Sequence, residues 1–442
     1  MKSKENLHPK SPRAWVIAVS MGYGHQRTAY PLKELSPQGN IINANNYLGI
    51  PEKDRRLWGG SRSFYEFISN FQRIPFIGDI SFRLFDRFQK IISLYPKKDL
   101  SRPSFMVRRI FSLIQRGWGK HLVEILKKKP LPLVTTFFIP AYMAEFFNYP
   151  NDIYCIICDA DISRTWVVLN PSQSNIKYFA PTPRVKERLE LYGVKKENIF
   201  LTGYPLPKEN LGSTQLEITR YDISHRLLNL DYKGAYRQQY TTLIKKYVGS
   251  LPRKSNHPLT IMFSVGGAGA QKEIVIRIIE SLAKKIRKRE LKFILGAGIK
   301  EEVKNYFLEQ IDALSLRDYL DKSIEIVWDQ NLQNYFKKFN QALRTTDILW
   351  TKPSELSFYS ALGIPIIMTP PLGSQEDLNR DWLLRVGAGI SQEDPRYTDQ
   401  WLFDLLESGW FAEAAMQGYI EVEKMGTFNI ENIIHQHAVA HH

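Results

Sequence analysis

The sequence predicts an α/β protein made of two halves of the same design, and three observations carry that prediction. An apolar run from Ala14 to Ser20 passes through a glycine turn, Met21-Gly22-Tyr23-Gly24-His25, into a helical stretch from Gln26 to Leu35. The same succession restarts past the middle of the chain, where Leu259 to Val265 leads through Gly266-Gly267-Ala268-Gly269 into a helical pattern from Glu273 to Arg287. In both halves further short apolar runs alternate with helical segments, as a parallel sheet with crossover helices requires. Two Rossmann-like domains facing each other across a cleft follow from the repetition.

In the first half, strands are expected at Leu133 to Phe137, Ile153 to Cys158 and Tyr178 to Ala180, the last leading into a helical pattern from Val185 to Tyr192. Ile199 to Pro205 reads as a final strand with a proline-broken exit, which assigns the first domain to residues 1–205. Residues 206–257 lose strand character, and Pro207, Gly212, Gly234 and Pro252 mark a partly helical connector. The second domain takes residues 258–442, with Ile274, Ile278, Ile279 and Leu282 on the apolar side of its first helix. Its further strands are expected at Leu291 to Leu295, Ile324 to Trp328, Asp347 to Trp350 and Pro365 to Met368, and its last helices are candidates to cross back to the first domain.

A chain of 442 residues is long enough for two domains with ample core, and 43% hydrophobic with 24% charged residues excludes a disordered or disulfide-scaffold class. No apolar run reaches the roughly 18 residues of a membrane span, and the polar, Lys-rich start carries no secretory pattern. Cys155 and Cys158, on a strand that points them to opposite faces, predict neither a zinc site nor a structural bridge, which places the chain in the cytoplasm.

The formal net charge of +15 predicts an anionic partner. Residues 51–130 hold 18 Lys and Arg against 7 Asp and Glu, so +11 of the charge lies there, together with thirteen aromatic residues. Within this basic aromatic helical insertion, Phe82, Phe85, Phe88 and Ile92 recur at helical spacing on one side, while Arg83, Arg87 and Lys90 recur on another. Arg102, Arg109 and Arg116 form a second basic series. Such helices suit the anionic inner face of a membrane, each basic residue contributing about 1 kcal/mol; the alternative is a solvated face over an aromatic core face. The segment matches no recognised nucleic-acid module, so nucleic acid is not expected as a partner.

Gly266-Gly267-Ala268-Gly269-Ala270-Gln271 lies where a strand hands over to a helix, so its backbone amides and the helix N-terminus can hold a diphosphate; the alternative is a tight turn that needs glycine. His25 follows a glycine turn at the top of the first strand, where an imidazole enters the cleft, or else bonds a backbone carbonyl. Asp159 and Asp161 end another strand on the same side, and either carboxylate could take a proton from a hydroxyl or orient His25 to do so. Asp159-Ala160-Asp161 also spells an Asp-x-Asp metal-binding signature, but two glycine-loop halves favour amides and helix dipoles in place of a metal, so no metal or other cofactor is expected.

Residues 346–390 keep five landmarks in order: Thr351-Lys352-Pro353, a short helix ending Ala361-Leu362-Gly363-Ile364-Pro365, the Pro370-Pro371 exit, Gln375-Glu376 with Asn379, and Gly387-Ala388-Gly389. This stretch resembles the nucleotide-sugar half of glycosyltransferase family 28, which includes diacylglycerol glycosyltransferases and the peptidoglycan N-acetylglucosaminyl transferase. Ser20 to His25, Cys158 to Asp161 and Tyr178 to Pro207 resemble the acceptor half more loosely, while 51–130 and 206–257 lie outside the resemblance.

The resemblance implies the GT-B fold and an inverting transfer of a sugar from a UDP-sugar to a lipid or lipid-linked acceptor, at the membrane as a peripheral protein. It implies donor binding by Gly266, Gly267, Gly269, Gln271 and Lys352, sugar contacts from Gln375, Glu376 and Asn379, and an acceptor loop around Gly22 and Gly24. His25 or Asp161 would be the base, with Asp159 beside them. In the family pattern a Glu further along the short helix grips the ribose hydroxyls; here that position is Phe358, and Glu355 is expected to take over. A UDP-sugar epimerase of the same fold and a non-catalytic membrane module are the alternatives.

Overall fold

The computed structural model describes residues 14–59, 91, 94–266, 271–371 and 373–440. Its first sheet comprises β1 (Trp15–Ala18), β2 (Ile42–Asn43), β3 (Leu133–Thr135), β4 (Ile153–Ile156), β5 (Lys177–Ala180) and β6 (Ile199–Leu201). The second comprises β7 (Thr260–Ser264), β8 (Lys292–Gly298), β9 (Ile324–Trp328), β10 (Ile348–Thr351), β11 (Ile366–Met368) and β12 (Gly389–Ser391). The strand orders are β2-β1-β3-β4-β5-β6 and β12-β11-β10-β7-β8-β9, and every pairing is parallel. The second order is that of a doubly wound nucleotide-binding sheet, so the two Rossmann-like domains of the GT-B arrangement are present.

Apolar sequence explains the strands that were expected. The segments Ile-Tyr-Cys-Ile of β4 and Thr-Ile-Met-Phe-Ser of β7 are buried at every position, as strands covered by helices on both faces must be. Two edge strands were missed: β2 has two residues, one of them Asn43, and β12 opens on Gly389, so neither carries a run to read. The helix expected from Gln26 to Leu35 is instead an α-helix over Gly24–Ala29 followed by a 3₁₀ helix over Tyr30–Leu35. Pro31 lacks the N–H that would continue the α-helical ladder, and the chain tightens there. Thr182 caps the helix Pro183–Leu191 by accepting from the Val185 N–H.

Residues 206–257 are less a linker than an outer layer of the second domain. The helix Glu217–Leu230 buries Ile223, Leu227 and Leu230 in the same core as Ile261, Phe263 and Trp350, and Tyr236, Ile244 and Val248 join them. Arg226, fully enclosed, donates to the carbonyls of Thr346 and Leu362. At the other end, the helix Gly426–Ala440 returns to the first sheet, where Ile430 and Ile434 pack with Val16, Val134, Tyr154 and Phe179. Burying two such side chains contributes about 3–6 kcal/mol to holding it there. Only glycine fits at its start, because a Cβ on Gly426 would lie 2.1 Å from the Tyr204 carbonyl oxygen.

In the basic region, helices cover 52–59, Phe105–Gln115 and Lys120–Lys127. Phe105–Gln115 buries Val107, Ile110, Phe111 and Ile114 and exposes Arg108 and Arg109, with exposed Arg102 and Arg116 beyond its ends. The proposed membrane residues Phe82, Phe85, Arg83, Arg87 and Lys90 lie outside the described residues. Among the described residues, no helix is long and apolar enough to cross a membrane.

Candidate active site

Because all strands run parallel, each sheet's chain exits gather at one edge, and a crevice opens where the strand order reverses. In the first sheet this lies between β1 and β3, in the second between β7 and β10. The first crevice is closed at its base by a reciprocal tie. His25 Nδ1 bonds the Thr136 carbonyl oxygen at 2.7 Å, and Thr136 Oγ1 donates to the His25 carbonyl at 2.9 Å. A carbonyl only accepts, so Nδ1 carries the proton and Nε2 keeps its lone pair. Phe137 and Trp166 flank the ring at 4.7 and 6.3 Å, and Cys158 Sγ lies 3.2 Å from Nδ1. Burial pulls the imidazole down to about 4, against the carbonyl bond that raises it, so the ring is neutral at pH 7.

The two aspartates after β4 part company. Asp161 is buried in a bidentate pair with Arg188, Nε to Oδ1 at 2.9 Å and Nη2 to Oδ2 at 2.7 Å, and Oδ1 also accepts from the Ile162 N–H. Its oxygens are committed, which corrects the reading of Asp161 as a base. Asp159 remains partly exposed at the cleft, and its carboxyl is pushed up to about 6. Desolvation is the main cause, opposed by the amide of Asn379 and supported by the charge of Glu355.

On the second sheet, Gly266 stands two residues past the end of β7, and a Cβ there would come within 3.1 Å of Lys352 Cε. Glycine thus lets the Lys352 side chain lie against the backbone at Gly266. Lys352 Nζ is paired with Glu376, and although burial works against its charge, Glu376, Glu355 and Asp159 raise its proton affinity. Gly267 and Gly269 lie outside the described residues. Gln271 precedes the helix Lys272–Arg287 with φ of 65°, and its side chain spans the exit of β11, donating to the Pro370 carbonyl and accepting from Thr369 Oγ1. Gln375 is partly exposed on the helix Ser374–Val386.

Three contacts join the crevices. Glu355 Oε1 lies 3.3 Å from Arg27 Nε, both side chains nearly enclosed, and a Cβ on Gly24 would stand 3.2 Å from Glu355 Oε2. Asn379, expected to face a sugar, instead accepts from the Ala160 N–H at 2.8 Å and donates to Asp159 Oδ1 at 3.2 Å. Tyr23 reaches over to accept from the Ile299 N–H at 2.9 Å. Glu355 and Asn379, expected as donor ligands, are therefore bonded across the cleft to the first domain in this conformation. Phe358 is buried in a stack with Tyr204 at 4.7 Å and against Trp382 at 4.8 Å, which leaves it no polar role.

The cleft thus gathers Asp159, Glu355 and Glu376 with Lys352 and Arg27, beside a neutral imidazole. Among the described residues, no group of three or more His, Cys, Asp or Glu side chains is arranged to hold a metal ion. Sequence reasoning missed Tyr23, Arg27 and Arg188. A buried arginine carries no local signal, but Tyr23 and Arg27 stand one helical turn apart at the glycine turn, a spacing that places them on one face.

The names of the curated relatives agree with the family resemblance. A family model described as a domain of unknown function (DUF6938) matches residues 250–325. The chain is 22% identical over 277 residues to a processive diacylglycerol β-glucosyltransferase of Staphylococcus carnosus, covering 62% of this chain and 58% of that protein, less than two thirds of its length. It is 24% identical over 392 residues to the protein of the same name from Bacillus cereus, covering 87% of this chain and 83% of that one. Among solved structures, Acinetobacter baumannii MurG aligns with a TM-score of 0.47 at 13% identity, over 96% of this chain and all of its own (100%). The Staphylococcus aureus MnaA–UDP structure aligns with a TM-score of 0.46 at 12% identity, over 74% of this chain and 82% of its own.

The assignment of Asp161 to structure has a direct consequence. Asp161→Ala leaves Arg188 buried without its counter-charge, and urea denaturation should register a loss of about 3–5 kcal/mol. A loss below about 1 kcal/mol, the range of exposed pairs, would return Asp161 to the candidate bases.

Proposed function

We propose that the chain is an inverting glycosyltransferase that moves a sugar from a UDP donor to a lipid or lipid-linked acceptor at a membrane surface. The observation that carries this reading is the juxtaposition, across the cleft, of the Asp159 carboxylate, raised to about 6, with Lys352 lying against Gly266. The curated relatives named diacylglycerol glucosyltransferases support the substrate class. In this reading the donor diphosphate lies at the turn after β7, against backbone amides, the N-terminus of the helix Lys272–Arg287 and the Lys352 ammonium. The leaving UDP is stabilised by those groups without a metal, and Gln375 and Glu376 face the sugar.

Asp159 takes the proton of the acceptor hydroxyl as its oxygen attacks the anomeric carbon on the side opposite UDP, which inverts that centre. A base near 6 is ionised at pH 7 and still basic enough to share a proton in the transition state, whereas Asp161 is engaged by Arg188. His25, neutral with Nε2 free of its proton, accepts a hydrogen bond and orients the acceptor. The acceptor reaches the cleft from the basic region, where exposed Arg108, Arg109, Arg116, Lys120, Lys128 and Lys129 accompany exposed Phe105 and Ile125.

The test is turnover of UDP-glucose and other UDP-sugars by the purified protein on vesicles containing diacylglycerol, with chelator present. Asp159→Asn should lower turnover by roughly 10²-fold or more, as loss of a general base does. Activity should fall as pH drops through about 6, because protonated Asp159 cannot accept the hydroxyl proton. Dependence on added metal would contradict the diphosphate site, and interconversion of UDP-sugars without an acceptor would make the chain an epimerase.

Membrane attachment is read by co-sedimentation with liposomes, which should rise with anionic lipid and fall with salt. The triple change Arg108→Glu, Arg109→Glu and Arg116→Glu should weaken it. Equal binding by this variant would remove the basic face from the proposal.

A further inference from the structure

The turn after β1 does more than line the cleft. Its helix, Gly24–Ala29, sends Arg27 entirely out of the first domain's polar surface and into the second domain, where only 2% of the residue stays exposed. The guanidinium carbon lies 4.2 Å from the ring centre of Phe339 and 4.8 Å from that of Phe336, both on the helix Leu332–Leu343. A cation placed against two aromatic faces out of water is held by the ring quadrupoles more firmly than at a surface. Its counter-charge is Glu355, at 3.3 Å from Nε. One turn earlier Tyr23 enters the same domain, with its hydroxyl at the Ile299 N–H and its ring 5.7 Å from that of Tyr335. A Cβ on Gly298 would meet the Tyr23 hydroxyl oxygen at 2.5 Å, so the second domain leaves room for the phenol there.

These observations share one geometry. Two side chains on one face of a first-domain helix plug into the second domain, and Gly24 between them permits the close approach of Glu355. A buried ion pair adds little net stability over apolar residues of the same shape, but it fixes register, because a misplaced partner leaves a buried charge alone. The Glu355 carboxylate is also a neighbour of Lys352 and Asp159, whose proton affinities it raises.

We propose that Arg27 is an interdomain latch and a positioning residue: seated between Phe336 and Phe339, it sets the separation of the two sheet edges and holds Glu355 at the donor end of the cleft. Donor affinity then depends on a residue of the other domain. This rests on the donor site proposed above for UDP.

The experiment pairs calorimetric titration of UDP with small-angle X-ray scattering on the parent, Arg27→Met, Arg27→Lys and Glu355→Gln. Arg27→Met should enlarge the radius of gyration and weaken UDP binding by roughly five- to hundred-fold, the usual span of coupling between linked sites. Arg27→Lys, which keeps the cation but not the fork, should recover part of both, which a loss of mere packing would not predict. If Arg27→Met does not fold, Glu355→Gln carries the decision, since it removes the counter-charge and leaves the aromatic seat intact. A parent that binds no UDP would overturn the donor reading alone, and the latch is then judged by scattering. Unchanged radius and unchanged UDP affinity in both Arg27→Met and Glu355→Gln, or an unchanged radius where the parent binds no UDP, would overturn the latch.

Discussion

The constraint on which this structure depends is the parallel direction of every strand pair. A parallel sheet puts all its chain exits at one edge, and reversing the strand order beside β1 and beside β7 opens a crevice at each of those edges. With the two edges turned toward each other, groups far apart in sequence become neighbours. Asp159 and Asn379 meet, as do Arg27 and Glu355, only because strand exits from both domains converge. The apolar core follows the same plan, for one continuous cluster runs from Ile17 and Leu133 of the first sheet to Tyr335, Phe336 and Phe339 of the second domain.

The electrostatics of the cleft follow from this convergence. Withdrawal from water raises the Asp159 carboxyl and lowers the His25 imidazole, so at neutral pH one is ionised yet basic and the other is uncharged. Below the cleft the same low polarity makes Asp161 and Arg188 depend on each other. A proton held more tightly by folded Asp159 than by the unfolded chain means that its contribution to stability is complete below about pH 4 and is lost as pH rises through about 6.

Much of the fold was legible because it rests on local pattern. The repeated strand, glycine turn and helix at Ala14 and at Leu259 announced two halves, and the short, mostly apolar runs at β4 and β7, alternating with helical segments, announced parallel sheets. What could not be read depends on partners distant in the chain. Nothing near Asp161 announces Arg188, and nothing near Asn379 announces Asp159. The family resemblance pointed to Glu355 as a ribose ligand in place of Phe358, but its partner Arg27 lies in the other domain. The connector misled for another reason: Pro207 and Gly212 break the chain as expected, yet the helix after them carries Ile223, Leu227 and Leu230 into a core whose strands begin only at Thr260.

The central claim is that the crevice between β7 and β10 holds the donor nucleotide without a metal. Hydrogen exchange with and without UDP, in the presence of chelator, tests it most directly. Slowed exchange is expected in peptides running from Ser264 into the first turn of the helix Lys272–Arg287 and in the segment from Thr351 to Leu356, with β2 and β6 unchanged. Slowing confined to the first domain, or none anywhere at the highest soluble concentration of UDP, would contradict it.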